Sequence, residues 1–152
     1  MSPYSQKLLC RFMIEKMYNE GQFDLSEMFF TPGAVHHELE PIAPHLGCAT
    51  PVLASFIGLY RRGFPDLRVS VIDQISDGDR VVSRFKVEGT QTGPLMSIRP
   101  TGRPICVEGI RIDRIAEGRI AETWTQWDAM VMLEQIGAAA TVNRQPAVSL
   151  AA

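Results

Sequence analysis

The stretch Val107-Glu-Gly-Ile-Arg-Ile-Asp-Arg-Ile-Ala-Glu-Gly-Arg-Ile-Ala-Glu-Thr-Trp-Thr-Gln-Trp-Asp128 does most to restrict what this chain can become. Apolar and polar residues alternate along it, and the pattern breaks once, at Glu117-Gly118. It therefore reads as two long strands joined by a tight turn. A sheet that covers a plain core is apolar on its inner face. Here Arg111, Asp113, Thr123 and Thr125 are mixed with aliphatic neighbours, and such a face suits the wall of a cavity.

A second hairpin precedes it. Leu67 to Ile75 and Arg80 to Glu88 also alternate. A three-residue turn with Gly78 left-handed sets Leu67, Val69 and Val71 opposite Val87, Phe85 and Ser83. A two-residue turn sets Val71 against Arg84 and Val69 against Lys86. One slipped residue turns every side chain to the other face, so the longer turn is expected.

The N-terminal half carries helical spacing instead. Leu8, Leu9, Phe12, Met13 and Met17 mark one face of a helix over residues 4–19, stopped by Gly21. Asp24 is placed to cap a short helix from Leu25 to Phe30, with Glu27 three residues on. Ala34 to Glu40 reads as a short strand and Pro41 to Gly47 as a loop. Thr50-Pro51 opens a third helix that runs to about Arg62, with Val52, Phe56, Leu59 and Tyr60 on its buried side. Gln91 to Pro104 is a long loop. A last helix, Ala129 to Ile136, is capped by Asp128 and stopped by Gly137.

Helices early and antiparallel strands late predict an α+β fold. Its form is a cone: a curved antiparallel sheet wrapped on the N-terminal helices, enclosing one hydrophobic cavity. The expected division is one domain over residues 1–137 and a flexible tail over 138–152.

Composition removes several function classes. The formal net charge is −2 with 21% charged residues, which gives no electrostatic reason for nucleic acid. No apolar run approaches the roughly 20 residues that span a bilayer, so no membrane partner is expected. The N-terminus lacks a signal-peptide pattern. Cys10, Cys48 and Cys106 are scattered, with no Cys-x-x-Cys spacing, which suggests small core residues in a reduced cytoplasm and no zinc.

The candidate chemistry lies in two places. His36, His37 and Glu38 sit on the first strand, where His36 and Glu38 share one face and His37 takes the other. A carboxylate in an apolar cone has its pKa raised by desolvation, which suits a general base or acid. The plainer alternative is an exposed polar strand edge. Two facing ligands do not complete a metal site, so no metal is expected. Arg111 could stabilise an oxyanion, or it could pair with Glu122 or Asp113 on the outer face. Phe56, Tyr60, Phe85, Thr123, Thr125 and Trp127 are candidate cavity lining. Asp73 continues the face of Leu67, Val69 and Val71, so it either joins that lining or closes the sheet edge.

Several segments occur together and in order: Phe64-Pro-Asp-Leu-Arg-Val69, Asp77-Gly-Asp-Arg-Val-Val82, Gly89-Thr-Gln-Thr-Gly93, Pro100-Thr-Gly-Arg103 and Arg114-Ile-Ala-Glu-Gly-Arg-Ile-Ala-Glu-Thr-Trp124. With Trp127-Asp-Ala129 and Leu133-Glu-Gln-Ile-Gly137, they resemble the SnoaL-like polyketide cyclases over residues 5–137. That family belongs to the cone-shaped superfamily of nuclear transport factor 2 and ketosteroid isomerase. The resemblance implies a cofactor-free protein, usually a homodimer, with a hydrophobic metabolite bound inside the cone. In the best-known members a His on one strand and an Asp on the next close a ring by intramolecular aldol reaction. The His position falls at Arg111 and the Asp position at Thr125. Threonine cannot take up a proton near neutral pH, and arginine stays protonated. Several superfamily members instead place a catalytic carboxylate near the end of the first strand. The resemblance also favours the register that sets Arg111 opposite Thr123, not Trp124.

The expectation is an enzyme of secondary metabolism acting on a polyketide- or terpenoid-like intermediate by ring closure, isomerisation or epoxide opening. Glu38 or a neighbouring His is the acid–base group, and Arg111 the oxyanion stabiliser. One alternative is a cofactor-free hydrolase or dehydratase using His36, Glu38 and a water. The other is a non-catalytic ligand-binding protein. A fold hosts many chemistries, so the site must decide.

Overall fold

The computed structural model describes residues 1–38 and 47–138. The expected end of the first strand (Leu39 and Glu40), most of the loop after it and nearly all of the tail lie outside the described residues. Helix α1 is Pro3–Met13, continued by a π-helical segment Ile14–Asn19. A 3₁₀ turn Phe23–Leu25 and a one-turn helix α2, Ser26–Phe29, lead into strand β1, Phe30–Glu38. Then come β2 Cys48–Ala49, α3 Thr50–Gly63, β3 Arg68–Asp77, β4 Arg80–Thr90, β5 Pro104–Ala116, β6 Arg119–Trp127 and α4 Ala129–Gln135. The fold is α+β. One curved, unclosed six-stranded sheet runs in the order β2-β1-β6-β5-β4-β3. The sheet is not wholly antiparallel, because β1 lies parallel to β6. That placement brings the end of β1 beside the long β5–β6 hairpin.

Both hairpins use one device that the alternation pattern hid. Asp77 pairs with Arg80 and Ala116 with Arg119, so each turn has two residues, not three. Each hairpin then carries a bulge, at Ile72 in β3 and at Ala121 in β6, which adds one residue to one strand. The observed pairs are Val69 with Val87 and Val71 with Phe85, not the expected Val69 with Phe85 and Val71 with Ser83. Arg111 faces Thr125 and Asp113 faces Thr123, so the expected Arg111–Thr123 pairing is also corrected. Turn and bulge together leave Arg111 and Thr125 on one face, and that face is the inner one, a choice the sequence had left open for Arg111. Glu117 and Gly118 take φ of 52° and 73°, a mirror-image turn that matches the twist of the strands.

The helices bury different stripes from those expected. In α1 and its continuation Cys10, Met13, Ile14 and Met17 are buried, whereas Leu8 and Phe12 are about half exposed. In α3 Leu53 and Ile57 are buried and Val52 is exposed. Asp24 caps no helix, and Thr50 is the first residue of α3, with its hydroxyl used elsewhere. The Asp128 cap is present, its carboxylate accepting from the Val131 N–H. Of the three cysteines only Cys10 is in the core; Cys106 is exposed. No helix of the described residues is long and apolar enough to cross a membrane.

Gly109 in β5 is closely surrounded by its neighbours. A Cβ there would meet Phe85 Cζ at 2.5 Å, Gln126 O at 2.7 Å and Trp127 Cβ at 2.7 Å. Gly109→Ala should therefore cost about 1–3 kcal/mol by overpacking. Urea unfolding should show a lower midpoint at an unchanged slope.

Candidate functional site

Inside the cone the sheet and helices leave a mainly apolar chamber. Leu53, Ile57, Phe64, Val69 and Val87 form much of its wall, and its cavity volume is about 70 Å³. Seven of the candidate residues line it: Glu38, Phe56, Tyr60, Phe85, Arg111, Thr125 and Trp127. An engineered apolar cavity of about 150 Å³ binds benzene, so a ring-sized ligand is expected to move side chains on entry here. Phe56, Tyr60 and Trp127, only half buried, are the lining aromatics best placed to move.

One carboxyl and one guanidinium group open onto this apolar space. Glu38, the last residue of β1, is 8% exposed and accepts a 3.0 Å hydrogen bond from the Thr125 hydroxyl. Burial raises its pKa above the usual carboxylate range, and the opposing pull of the Arg111 charge and the Thr125 hydrogen bond is smaller. Arg111 is 2% exposed. Its Nε donates to Asp113 Oδ1 at 2.7 Å and its Nη1 to the Tyr18 hydroxyl at 3.0 Å. Burial disfavours its charge, but Asp113, Tyr18 and Glu38 outweigh that and raise its pKa. Arg111 is therefore a permanent cation in the wall. Arg111 Nη2 and Asp113 Oδ2 are buried and have no hydrogen-bond partner among the described residues.

The remaining candidates fall elsewhere. His36 is fully buried but lies behind the chamber wall. One ring nitrogen meets the Thr123 hydroxyl and the other the Thr50 hydroxyl, each at 3.0 Å, and Phe30 packs edge-on against the ring. His36 and Thr123 thus tie β1, β6 and α3 together. His37 points to the outer face, hydrogen-bonded to Glu122 at 2.9 Å and stacked on Trp124, so it is not part of the chamber. Asp73 is also outside, paired with Arg84 at 3.2 Å. Strict alternation put it on the inner face; the bulge at Ile72 turned it out. Arg111, conversely, pairs with Asp113 inside the cone and not on the outer face.

Tyr18 was not anticipated. It lies in the π-helical turn Ile14–Asn19, and both it and Ile14, four residues earlier, line the chamber. No residue pattern announces that turn. The inward partnership of Asp113 did have a signal, since residues i and i+2 of a strand share a face. Among the described residues no group of three or more His, Cys, Asp or Glu is placed to hold a metal.

Burial depresses the pKa of His36 from 6.5 to about 3, with lesser contributions from the Arg111 and His37 charges. Between those values the unfolded chain binds a proton that the folded chain does not. Stability from this group is complete above pH 6.5 and is lost as pH falls towards 3. His36→Gln should flatten the acid limb of a plot of unfolding free energy against pH. An unchanged acid limb would contradict this.

Arg111 and Thr125, onto which the resemblance lays the family's His and Asp positions, lie directly opposite each other on β5 and β6. Thr125 donates a hydrogen bond to the carboxylate of Glu38, its neighbour on β1. Comparison with solved structures gives the same cone. TsrD from Streptomyces laurentii superposes with a TM-score of 0.76 at 25% identity, covering 91% of this chain and 98% of that one. IdmH from Streptomyces antibioticus, a candidate polyketide cyclase, gives 0.74 at 26% identity, covering 90% and 99%. AclR from Streptomyces galilaeus, a candidate hydroxylase, gives 0.78 at 23%, covering 90% and 83%, a likeness of fold alone. Among curated protein sequences none is significantly similar. The model of the SnoaL-like polyketide cyclase family matches residues 7–136. With the cone and the apolar chamber in place and the family model matched over residues 7–136, the chain belongs to the SnoaL-like polyketide cyclase family.

Proposed function

We propose that the protein is a cofactor-free cyclase or isomerase of secondary metabolism, acting on a polyketide- or terpenoid-like intermediate through proton transfer. The supporting observation is the buried Glu38 carboxyl, opening onto an apolar chamber that also holds Arg111. Ionised Glu38 takes a proton from the carbon next to a substrate carbonyl. The enolate oxygen that forms is stabilised by the Arg111 guanidinium. The enolate carbon attacks a second carbonyl of the same molecule, forming the new carbon–carbon bond. The resulting alkoxide takes the proton back from Glu38, which is restored. In an isomerisation the proton returns to a different carbon instead. Folding a flexible substrate against the chamber walls supplies part of the rate by positioning.

A hydrolase that activates water with His36 is less well supported, because Thr50 and Thr123 occupy both ring nitrogens. The test is exchange of the methyl protons of acetophenone in D₂O, followed by NMR. Wild-type protein should accelerate exchange over buffer, and Glu38→Gln should remove the acceleration. Equal exchange with both proteins would exclude Glu38 as the base; no acceleration by either would favour a non-catalytic ligand-binding protein.

A further inference from the structure

We infer that the chamber selects a neutral carbonyl compound and rejects a carboxylate of the same skeleton. This rests on the same site as the proposed function but concerns binding, not catalysis. The charge of Arg111 is already matched: Asp113 holds its Nε at 2.7 Å, and the two side chains are 2% and 0% exposed. In surroundings of low polarity a second anion on this cation leaves one negative charge unbalanced, and burying an unbalanced charge is costly.

A donor is nevertheless left for a ligand oxygen. Asp113 takes the Nε–H and Tyr18 one N–H of Nη1, while Nη2 is buried without a partner among the described residues. The N–H groups of Nη2 can meet a carbonyl oxygen, and charge, not donor count, sets that oxygen apart from a carboxylate. Asp113, fully buried beside Arg111, adds a negative potential. The ionisable side chains around this point are Glu38, Arg111, Asp113 and Tyr18, with the buried Cys10 thiol beside Asp113 and with His36, whose ring burial keeps neutral. Arg111 is the sole cation among these, and two carboxyl groups already share it. A ligand carboxylate would be the third. A ketone or ester oxygen accepts the spare N–H without adding charge, and its charge grows only if an enolate forms, when Glu38 has been neutralised by the proton it took.

Three probes of similar size separate the cases: acetophenone, benzoate and cumene, titrated calorimetrically into the wild-type protein at pH 7.5. Acetophenone should bind tighter than benzoate by at least about ten-fold, equivalent to about 1.4 kcal/mol. It should also bind tighter than cumene, which has no oxygen. Benzoate binding as tightly as acetophenone, acetophenone binding no tighter than cumene, or no acetophenone binding would each overturn the inference. Asp113→Asn uncovers the Arg111 charge and should move the preference towards benzoate. If that variant does not fold, the wild-type series decides alone. Proton exchange that Glu38→Gln leaves unchanged, or that the wild-type protein does not accelerate, together with an intact acetophenone preference, would remove the catalytic role of Glu38 and leave this inference standing.

Discussion

Glu38→Gln should lower the rate of proton transfer in the chamber by about 10²–10⁴-fold, the usual contribution of a positioned acid–base group. The amide keeps the shape of the carboxyl and can still accept from the Thr125 hydroxyl, so folding and ligand affinity should change little. The wild-type rate should rise with pH through a range above that of ordinary carboxylates, because burial raises the Glu38 pKa. The same shift makes a stability prediction of definite sign. A carboxyl with a raised folded pKa contributes stability that is complete below its unfolded pKa and is lost as pH rises through the folded one. At pH 8 Glu38→Gln should therefore melt higher than wild type. Activity and stability move in opposite directions at this one residue, and a variant that lost both would point to a purely structural role.

The second large effect concerns Asp113. Asp113→Leu removes the partner of a cation that is 2% exposed and should cost about 3–5 kcal/mol, measured by urea unfolding. The double variant Arg111→Met with Asp113→Leu should recover most of that loss, since well-packed apolar groups often replace a buried ion pair without penalty. The double variant should still bind cumene but lose its preference for acetophenone. If the Asp113 variant is as stable as wild type, the pair is not the closed unit described above.

Much of the fold was legible because it rests on repeated, local signals. The alternation in β4, β5 and β6, the Glu117-Gly118 turn and the Asp128 cap are all written in neighbouring residues. What was hidden depends on one-residue irregularities or on contacts distant in sequence. The bulges at Ile72 and Ala121 change the count of residues in a strand without any mark in composition, so register was misjudged and the face of Arg111 stayed open between cavity and outer surface. Asp73 was misplaced for the same reason. The π-helical turn that leaves Tyr18 beside Arg111 is equally silent. His37 and Glu38 are adjacent in sequence and point to opposite faces. Only the pairing of β1 with β6 decides which of them enters the chamber.

The most direct test of Glu38 as an acid–base group poised in an apolar chamber is its own titration. Protein labelled with ¹³C at the glutamate side-chain carboxyls can be followed by NMR from pH 4 to 9, with Glu38→Gln used to assign the resonance. The account predicts one glutamate that remains protonated well above the others and whose signal is missing from the variant. A Glu38 resonance that titrates together with the surface glutamates would contradict it.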